Sequence, residues 1–405
     1  SIMLNLDGIK KLDQQNKKIL IRFDLNVPVN TSEESKELII NDRILRIKRS
    51  VDEIRKKNNK IIILSHLGRP KGKRDDNLSL KKILPQISQT LDHEVIFIDD
   101  CIGQGVIDQI EKASQNSVIL LENCRFYKEE ENNDQEFAKK LSSLADAYVN
   151  DAFACSHRAH ASVDAITKYI PSYCGTMLEE ELLNLNQASF SPTQPAITIL
   201  GGSKISTKIT VLKKLTEKMD SIVIAGGMAN NFLEFYGSDI KKSLKENDVS
   251  EICSEIVDFA KQNKCELVLP IDVTTSPGLD RKDETKISSV NEIEDNHMIL
   301  DIGPQTVKKI KSMIDFASTV FWNGPVGVFE KKPFDKSTIE IAKYIAKSTH
   351  EKKINSFAGG GDTIAAMSLA GVKSDFTYVS TGGGALLELI EGKKLPGLVA
   401  LNILK

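Results

Sequence analysis

The chain has 405 residues, of which 40% are hydrophobic and 27% are charged, and its formal net charge at pH 7 is -2. This charge argues against bulk attraction to nucleic acid or to an anionic membrane surface, and the length favours two domains over one. No stretch approaches the roughly 20 apolar residues of a membrane helix, and the first residues lack the pattern of a secretory signal. Six scattered cysteines without C-x-x-C pairs predict reduced thiols in a cytoplasmic protein.

Short apolar runs alternate with amphipathic stretches, such as 43–54, 249–259 and 336–345, along the whole chain. Runs so short and so apolar are typical of parallel strands that helices cover on both faces. The candidate strands are residues 19–27, 61–64, 95–98, 118–121, 147–149, 197–200, 222–225, 267–271, 320–322, 355–357 and 376–379.

These strands are too many for one compact sheet, so we predict two doubly wound, Rossmann-like α/β domains. A helix-like stretch at 178–188 precedes the proline-containing stretch SFSPTQP at 189–195, which is typical of a linker. We therefore expect a first domain at 1–172, a connecting helix and linker at 173–190, and a second domain at 191–392.

Polar clusters follow the candidate strands of the first half. In an open α/β sheet, ligands bind at the carboxyl ends of the strands. Several guanidinium groups that converge there indicate a small ligand with several negative charges. The cations and histidines of these clusters are Arg69, Lys71, Lys73, Arg74, Arg125, Arg158, His66, His157 and His160, and Arg43 is expected to join them.

Glycines follow the candidate strands of the second half, directly before helical stretches. Glycine lets a phosphate approach the backbone, and a helix N-terminus offers free N–H groups, so this half is expected to bind a nucleotide. Neither G-x-x-x-x-G-K-[ST] nor a complete G-x-G-x-x-G after a first strand occurs, which argues against a P-loop enzyme and a dinucleotide-binding dehydrogenase. Asp362 is a candidate partner for a nucleotide-bound Mg²⁺.

Single clusters leave alternatives open. Arg22, Asp24 and Asn26 alternate with apolar residues and share one face of a strand, where alternation alone favours a half-solvated strand over a ligand site. The basic loop 65–74 by itself is as typical of a solvated loop as of an anion site. A zinc site at Cys155, His157 and His160 is disfavoured because no further ligand pair is evident. The clusters indicate a function because they recur at one predicted edge.

Ten motifs resemble those of phosphoglycerate kinases, in the same order and over essentially the whole chain. They are RFDLNVP (22–28), SHLGRP (65–70), ENCRF (122–126), NDAF (150–153), HRAH (157–160), GGSKISTK (201–208), GGMA (226–229), WNGPVGVFE (322–330), GGGDT (359–363) and STGGGA (380–385).

The resemblance implies two domains that face each other across a cleft and a reversible, Mg²⁺-dependent phosphoryl transfer between 1,3-bisphosphoglycerate and ADP, which gives 3-phosphoglycerate and ATP. It implies that the phosphoglycerate is held by Asp24, Leu25, Asn26, Arg43, His66, Leu67, Gly68, Arg69, Arg125 and Arg158. It implies that the nucleotide is held by Lys204, Lys208, Asn323, Glu330, Gly360, Gly361, Asp362 and Thr363, with Asp362 on the metal and Gly382, Gly383 and Gly384 as an anion-binding loop.

The reaction needs no nucleophilic side chain because the carboxylate of 3-phosphoglycerate attacks directly. We assign Arg43 and Lys204 as the catalytic residues that stabilise the transferring group, and we expect the domains to close by hinge bending. The resemblance also implies that the tail 393–405 packs on the first domain and that the enzyme is a monomer, without a nucleic acid or membrane partner.

The sequence departs from the family pattern at a few positions, of which Thr207, Ala225 and residues 154–156 are the most relevant. Three other functions are disfavoured, and a structural or scaffold protein is one of them because it does not predict polar clusters at one edge. Another two-domain transferase or ligase is disfavoured by the motif at 322–330. An inactive anion-binding regulator is expected to lack Arg43, Lys204 or Asp362, and all three are present.

Overall fold

The structure is a computed structural model that describes residues 4–26 and 33–405, without the side chains of 33–39. The chain divides into two compact units, Ser1–Leu183 with Lys393–Lys405 and Asn184–Gly392. The division between them falls inside the stretch 173–190 to which the sequence assigns the connection. Within the described stretches, no helix has the length and hydrophobicity of a membrane span.

The first unit contains a six-stranded parallel sheet flanked by helices. Its strands are β1 (Lys18–Arg22), β2 (Lys60–Leu64), β3 (Val95–Ile98), β4 (Val118–Leu121), β5 (Ala147–Asn150) and β6 (Ser172–Cys174). Their order in the sheet is β3–β4–β2–β1–β5–β6. Its helices are α1 (Glu33–Arg55), α2 (Leu84–Leu91), α3 (Gln104–Lys112), α4 (Lys128–Glu131) and α5 (Gln135–Ser142). Helix α6 (Thr176–Leu185) begins in the first unit and ends in the second.

Both faces of this sheet are buried. Ile19 and Ile21 pack in one hydrophobic cluster, whereas Leu20 between them packs in another. On β2, Ile61 belongs to the first cluster and Ile62 to the second. Since side chains alternate along a strand, this division explains why the strands read as continuous apolar runs.

The second unit contains a second six-stranded parallel sheet and a small antiparallel sheet. Its strands are β7 (Ala196–Leu200), β8 (Ser221–Ile224), β9 (Glu266–Val268), β10 (Asp272–Ser276), β11 (Lys286–Ser289), β12 (Met298–Ile302), β13 (Thr319–Asn323), β14 (Asn355–Gly359) and β15 (Tyr378–Val379). The parallel sheet has the order β15–β14–β13–β7–β8–β9, and the antiparallel sheet has the order β11–β10–β12. The helices are α7 (Ile209–Thr216), α8 (Gly227–Phe235), α9 (Ser250–Gln262), α10 (Pro304–Phe316), α11 (Lys336–His350), α12 (Gly361–Ala370) and α13 (Gly384–Glu391).

The prediction of two parallel-sheet α/β domains is confirmed, with three corrections. The sequence missed β6 and the whole antiparallel sheet, because strands such as DVTTS and KISS have no apolar run. The first strand ends at Arg22 and does not reach Val27, which lies outside the described residues. The half-solvated interpretation of this strand is wrong, since Arg22 is completely buried.

The C-terminal tail packs within the first unit. Helix α14 (Pro396–Ala400) follows α13 after a short connection. The N–H of Gly397 donates to the carbonyl of Ser156 at 2.9 Å, and the carbonyl of Ile403 accepts from the N–H of Asn5 at 2.8 Å. The tail is thus held at both the N-terminal segment and the loop after β5.

Candidate active site

Four loops that follow neighbouring strands meet at the carboxyl edge of the first sheet. Strands β4, β2, β1 and β5 are adjacent in this order, and their loops begin after Leu121, Leu64, Arg22 and Asn150. Because the strands are parallel, the loops lie side by side. They carry Asp24, Leu25, Asn26, His66, Leu67, Gly68, Arg69, Arg125 and Arg158.

Hydrogen bonds tie the loop after β1 to the loop after β2. The side-chain oxygen of Asn26 accepts from the N–H of Gly68 at 2.7 Å, and the N–H of Leu25 donates to Ser65 Oγ at 3.1 Å. The N–H of Asn26 donates to Asp24 Oδ1 at 3.0 Å. The two loops therefore form one preorganised surface before any ligand binds.

Two arginines of this edge have N–H groups that make no hydrogen bond with the described residues. Arg43 on α1 forms an ion pair with Asp24, and its Nε is buried without a hydrogen-bond partner in the stretches that the structure describes. Arg125 donates from Nη1 to the carbonyl of Gly68 at 3.3 Å, while its Nε lies 3.6 Å from Glu131 and has no hydrogen-bond partner there either. A buried N–H donor without a partner raises the free energy of the folded protein unless a ligand accepts its hydrogen bond. The Nε donors of Arg43 and Arg125 therefore suit an anionic ligand.

His66 is 3% exposed and lies close enough to Arg43 and Arg125 for their charges to affect it. Burial lowers the pKa of His66 well below its ordinary value, and the charges of Arg22 and Arg125 lower it further. Burial also lowers the pKa of the half-buried His160. Both imidazoles are therefore held towards the neutral form.

The remaining predicted residues of this edge are more peripheral. Arg69 and Arg158 are exposed, and Leu67 is half-buried with its carbonyl accepting from Asn123 Nδ2 at 2.8 Å. In the basic loop, Arg74 pairs with Asp99 at the surface. That guanidinium is thus already engaged by an acid within the protein.

Glycine-rich loops meet at the carboxyl edge of the second sheet. Strands β15, β14, β13, β7 and β8 are adjacent, and their loops hold residues 380–384, 360–363, 324–330, 201–208 and 226–227. Three of these loops lead directly into helices α13, α12 and α8. The N–H groups of these helix starts therefore lie at the sheet edge, where they suit phosphate oxygens.

Backbone segments of this edge approach each other closely. The N–H of Gly201 donates to the carbonyl of Asn323 at 2.9 Å, and a Cβ at Gly324 would overlap the carbonyl oxygen of Gly201. Asn323 Nδ2 donates to the carbonyl of Gly359 at 2.8 Å, and Thr363 Oγ1 accepts from the N–H of Gly324 at 2.7 Å. These side chains thus fasten the loops after β7, β13 and β14 to each other.

Asp362 lies in the first turn of α12, next to Gly360 and Gly361, and is exposed. No cluster of three or more potential metal-binding side chains occurs in the part of the chain that the structure describes. Mg²⁺ typically binds nucleotides through one or two protein carboxylates, with phosphate oxygens and water as the other ligands. A single exposed carboxylate beside free helix N–H groups fits that mode.

The other predicted residues of this edge differ in exposure. Lys204 and Glu330 are exposed, whereas Lys208 at the start of α7 is half-buried, and burial lowers the pKa of its ammonium group. The glycines at 382–384 lead into α13, with the N–H of Gly382 donating to Ser380 Oγ at 3.1 Å. The edge thus combines glycine backbone with two lysines.

The sequence model of one family, described as Phosphoglycerate kinase, matches residues 9–393. The chain belongs to the phosphoglycerate kinase family.

Relatives of this family match the chain over nearly its full length. A phosphoglycerate kinase of Wolbachia pipientis wMel is 47% identical over 98% of this chain and 99% of its own length. One of Chelativorans sp. is 43% identical over 98% of each. The solved structure of phosphoglycerate kinase from Coxiella burnetii covers 96% of this chain and 97% of its own, with 36% identity and a TM-score of 0.85.

Phosphoglycerate kinases transfer a phosphoryl group reversibly between 1,3-bisphosphoglycerate and ADP, a step of glycolysis, and the chain is a phosphotransferase of this kind with a carboxyl group as acceptor. The two sheets with their helices have the two-domain fold of the phosphoglycerate kinase structures.

The sequence analysis did not connect Arg22 with Glu130 and Ser162, which are three buried polar residues of the first unit. Arg22 and Glu130 are 0% exposed and lie 3.9 Å apart, with Ser162 hydrogen-bonded to both. The available signal was a cation inside the apolar run ILIRF, because a charge in a buried strand must be paired.

The departures from the phosphoglycerate kinase pattern take up local structural roles. Thr207 Oγ1 donates to the carbonyl of Lys204 at 2.9 Å, and Ala225 is fully buried at the end of β8. Ser156 Oγ donates to the carbonyl of Ala152 at 2.9 Å. Thr207 therefore stabilises the turn that carries Lys204.

Proposed function

We propose that the chain catalyses the family reaction with the phosphoglycerate held at the carboxyl edge of the first sheet and the Mg²⁺–nucleotide held at that of the second. The observation that carries this proposal is the different chemistry of the two edges. At one edge, Arg43 and Arg125 offer buried N–H groups that have no hydrogen-bond partner among the described residues, and helix starts with Asp362 lie at the other.

At the first edge, the guanidinium groups would bind the phosphate and carboxylate oxygens of the phosphoglycerate, and Asp24 and Asn26 would accept from its hydroxyl group. The link between Asn26 and Gly68 supports this role because it fixes the two loops in one arrangement. The residues assigned to the phosphoglycerate are Asp24, Leu25, Asn26, Arg43, His66, Leu67, Gly68, Arg69, Arg125 and Arg158.

At the second edge, the N–H groups at the starts of α12 and α13 would bind phosphate oxygens of the nucleotide, and Asp362 would hold its Mg²⁺. The metal would neutralise phosphate charge during transfer. The residues assigned to the nucleotide are Lys204, Lys208, Asn323, Glu330, Gly360, Gly361, Asp362 and Thr363, with Gly382, Gly383 and Gly384 as a second anion loop.

The protein would catalyse the transfer step by positioning the two ligands and by stabilising negative charge, since the carboxylate of 3-phosphoglycerate is itself the nucleophile. Arg43 and Lys204 would stabilise the negative charge on the transferring phosphoryl group. Because the two ligands would be held by different units, the units would have to approach each other by a hinge motion before transfer.

We further propose that the enzyme is a cytoplasmic monomer without nucleic acid or membrane partners. Its six cysteines are buried as free thiols, which suits a reducing compartment. Its net charge of -2 gives no general attraction to polyanions.

The test is a coupled assay with 3-phosphoglycerate, ATP and Mg²⁺, in which 1,3-bisphosphoglycerate is consumed by glyceraldehyde-3-phosphate dehydrogenase with oxidation of NADH. We expect turnover that requires Mg²⁺ and phosphoglycerate, and a fall in kcat of roughly a hundredfold or more for Arg43→Ala. Arg46→Ala is the matched control, because Arg46 lies on the same helix and also pairs with an aspartate, Asp42. Equal turnover of the two variants would contradict the assignment of Arg43.

A further inference from the structure

We propose that Arg22 is a positioning residue that holds His66 as a neutral imidazole with its proton on Nε2, so that His66 offers the phosphoglycerate a hydrogen-bond donor without adding a positive charge. This inference deepens the proposed function and rests on it for the identity of the ligand. The relationship between Arg22 and His66 itself depends only on the structure.

The hydrogen bond between the two side chains has only one direction. Arg22 Nη2 lies 2.7 Å from His66 Nδ1. A guanidinium group has five N–H donors and no acceptor, so Arg22 donates and Nδ1 accepts. An accepting Nδ1 carries no proton, and a neutral imidazole then has its proton on Nε2.

Arg22 does not reach the ligand itself. It is the last residue of β1 and is 0% exposed. Its other donors are directed at the protein: Nε at Ser162 Oγ, 2.8 Å away, and Nη1 at the carbonyl of Phe23, 2.6 Å away. The influence of Arg22 on a ligand therefore passes through His66.

Glu130 makes the buried charge of Arg22 tolerable. Its carboxylate lies 3.9 Å from Arg22 Nη2 and is also 0% exposed. Ser162 donates to it twice, from the backbone N–H at 2.8 Å and from Oγ at 2.6 Å. The pair is thus desolvated but hydrogen-bonded, which is the condition under which a buried ion pair persists.

The surroundings of His66 oppose its protonation. Burial has the largest effect on its pKa, and the neighbouring positive charges act in the same direction. Protonation would also place a proton on Nδ1, directly against the N–H of Arg22. The charged and titratable groups of the surrounding elements are Arg22 of β1, Arg43 of α1, Arg125 of the loop after β4 and His160 of the loop after β5, and Glu130 of α4 lies 3.9 Å from Nη2 of Arg22.

The first experiment is ¹⁵N NMR of the full chain with labelled histidine. We expect His66 to show a pyrrole-type Nε2 and a pyridine-type Nδ1, unchanged between about pH 5.5 and 8, where a free imidazole titrates. Free histidine in the same buffer is the reference for a solvated imidazole. A protonated His66 at neutral pH, or a proton on Nδ1, would overturn the proposal.

The second experiment changes the buried pair. Because Arg22→Met alone leaves Glu130 buried without its partner, the double variant Arg22→Met/Glu130→Leu is measured beside it. We expect His66 in the double variant to lose its single tautomer and to populate both neutral tautomers. The KM for 3-phosphoglycerate is expected to rise about tenfold, while the KM for ATP stays within about twofold. An unchanged His66 spectrum in a folded double variant would contradict the positioning role.

A third set of variants separates this inference from the proposed function. His66→Gln keeps a neutral donor and is expected to retain more phosphoglycerate affinity than His66→Ala. If His66→Ala leaves the KM for 3-phosphoglycerate unchanged while the wild-type tautomer is as stated, His66 does not bind the ligand. That result would overturn the assignment of His66 in the proposed site but not the Arg22–His66 hydrogen bond.

Discussion

Gly397 of the C-terminal helix donates its N–H to the carbonyl of Ser156 at 2.9 Å, although 240 residues separate them along the chain. A Cβ at Gly397 would lie only 2.8 Å from Ser156 Cβ and 3.0 Å from its Cα. Ser156 begins the segment that carries His157 and Arg158. The tail therefore supports a loop at the carboxyl edge of the first sheet, and the absence of a side chain at 397 allows the contact.

The first prediction concerns this contact. Gly397→Ala is expected to displace the loop at 156–158 and to destabilise the protein by roughly 1–3 kcal/mol, as overpacking typically does. The KM for 3-phosphoglycerate should rise while the KM for ATP does not. Thermal unfolding and steady-state kinetics measure both effects. Val399→Ala on the same helix, at a 38% exposed position, is the control. A change in stability without a change in KM would restrict the tail to a structural role.

The second prediction concerns the carboxyl edge of the second sheet, which is the proposed nucleotide site. Gly324 has a φ of +98° and no room for a Cβ beside Gly201, so Gly324→Ala should separate the loops after β7 and β13. We expect about a tenfold or greater rise in the KM for ATP, which steady-state kinetics measures. Gly237, with a φ of +102° and no atom within 4 Å of a Cβ, is the matched control for backbone strain alone. If both alanine variants raise the KM equally, steric separation of the loops is not the cause.

The third prediction concerns pH. Burial raises the pKa of Asp301 to about 7, against an ordinary value near 4. Between these values the folded protein binds more protons than the unfolded chain, so the free energy of unfolding should fall as the pH rises from about 4 to about 7. The loss from this carboxyl group is up to roughly 4 kcal/mol. Urea unfolding at several pH values measures it.

The variant Asp301→Asn isolates this contribution, because burial also raises the pKa of Asp151, to about 6, in the same direction. The variant should have a smaller decrease of stability with pH, even if its absolute stability is lower. Asp280→Asn, at a surface position that is 92% exposed, should keep the wild-type decrease. Identical pH profiles for Asp301→Asn and the wild type would refute the raised pKa.

The fourth prediction concerns the metal. Asp362→Asn removes the carboxylate charge at the start of α12, so the Mg²⁺ concentration for half-maximal rate should rise about tenfold. The KM for 3-phosphoglycerate at saturating Mg²⁺ should not change. Asp375→Asn, which removes a surface carboxylate paired with His350, is the control. If Asp362→Asn has the same Mg²⁺ requirement as the wild type, Asp362 does not bind the metal.

The strands and the two edges could be predicted because their signals are local. A run such as KIIIL is apolar on both faces, and a run such as GGGDT follows a strand directly, so each is readable without knowledge of the rest of the chain. The antiparallel strands β10 and β11 could not be predicted this way. Their residues are polar, and only pairing with neighbours makes them strands.

The sequence by itself determined the family, the α/β class and the kinds of side chain at each sheet edge, because these follow from contiguous motifs and short-range periodicity. The tertiary structure alone decided that Arg22 is buried against His66 and Glu130, and that Gly397 lies on Ser156. Both are contacts between residues far apart in the chain. Which partners a buried charge takes, and which atoms approach a glycine, depends on the packing of several elements at once, and no local pattern records it.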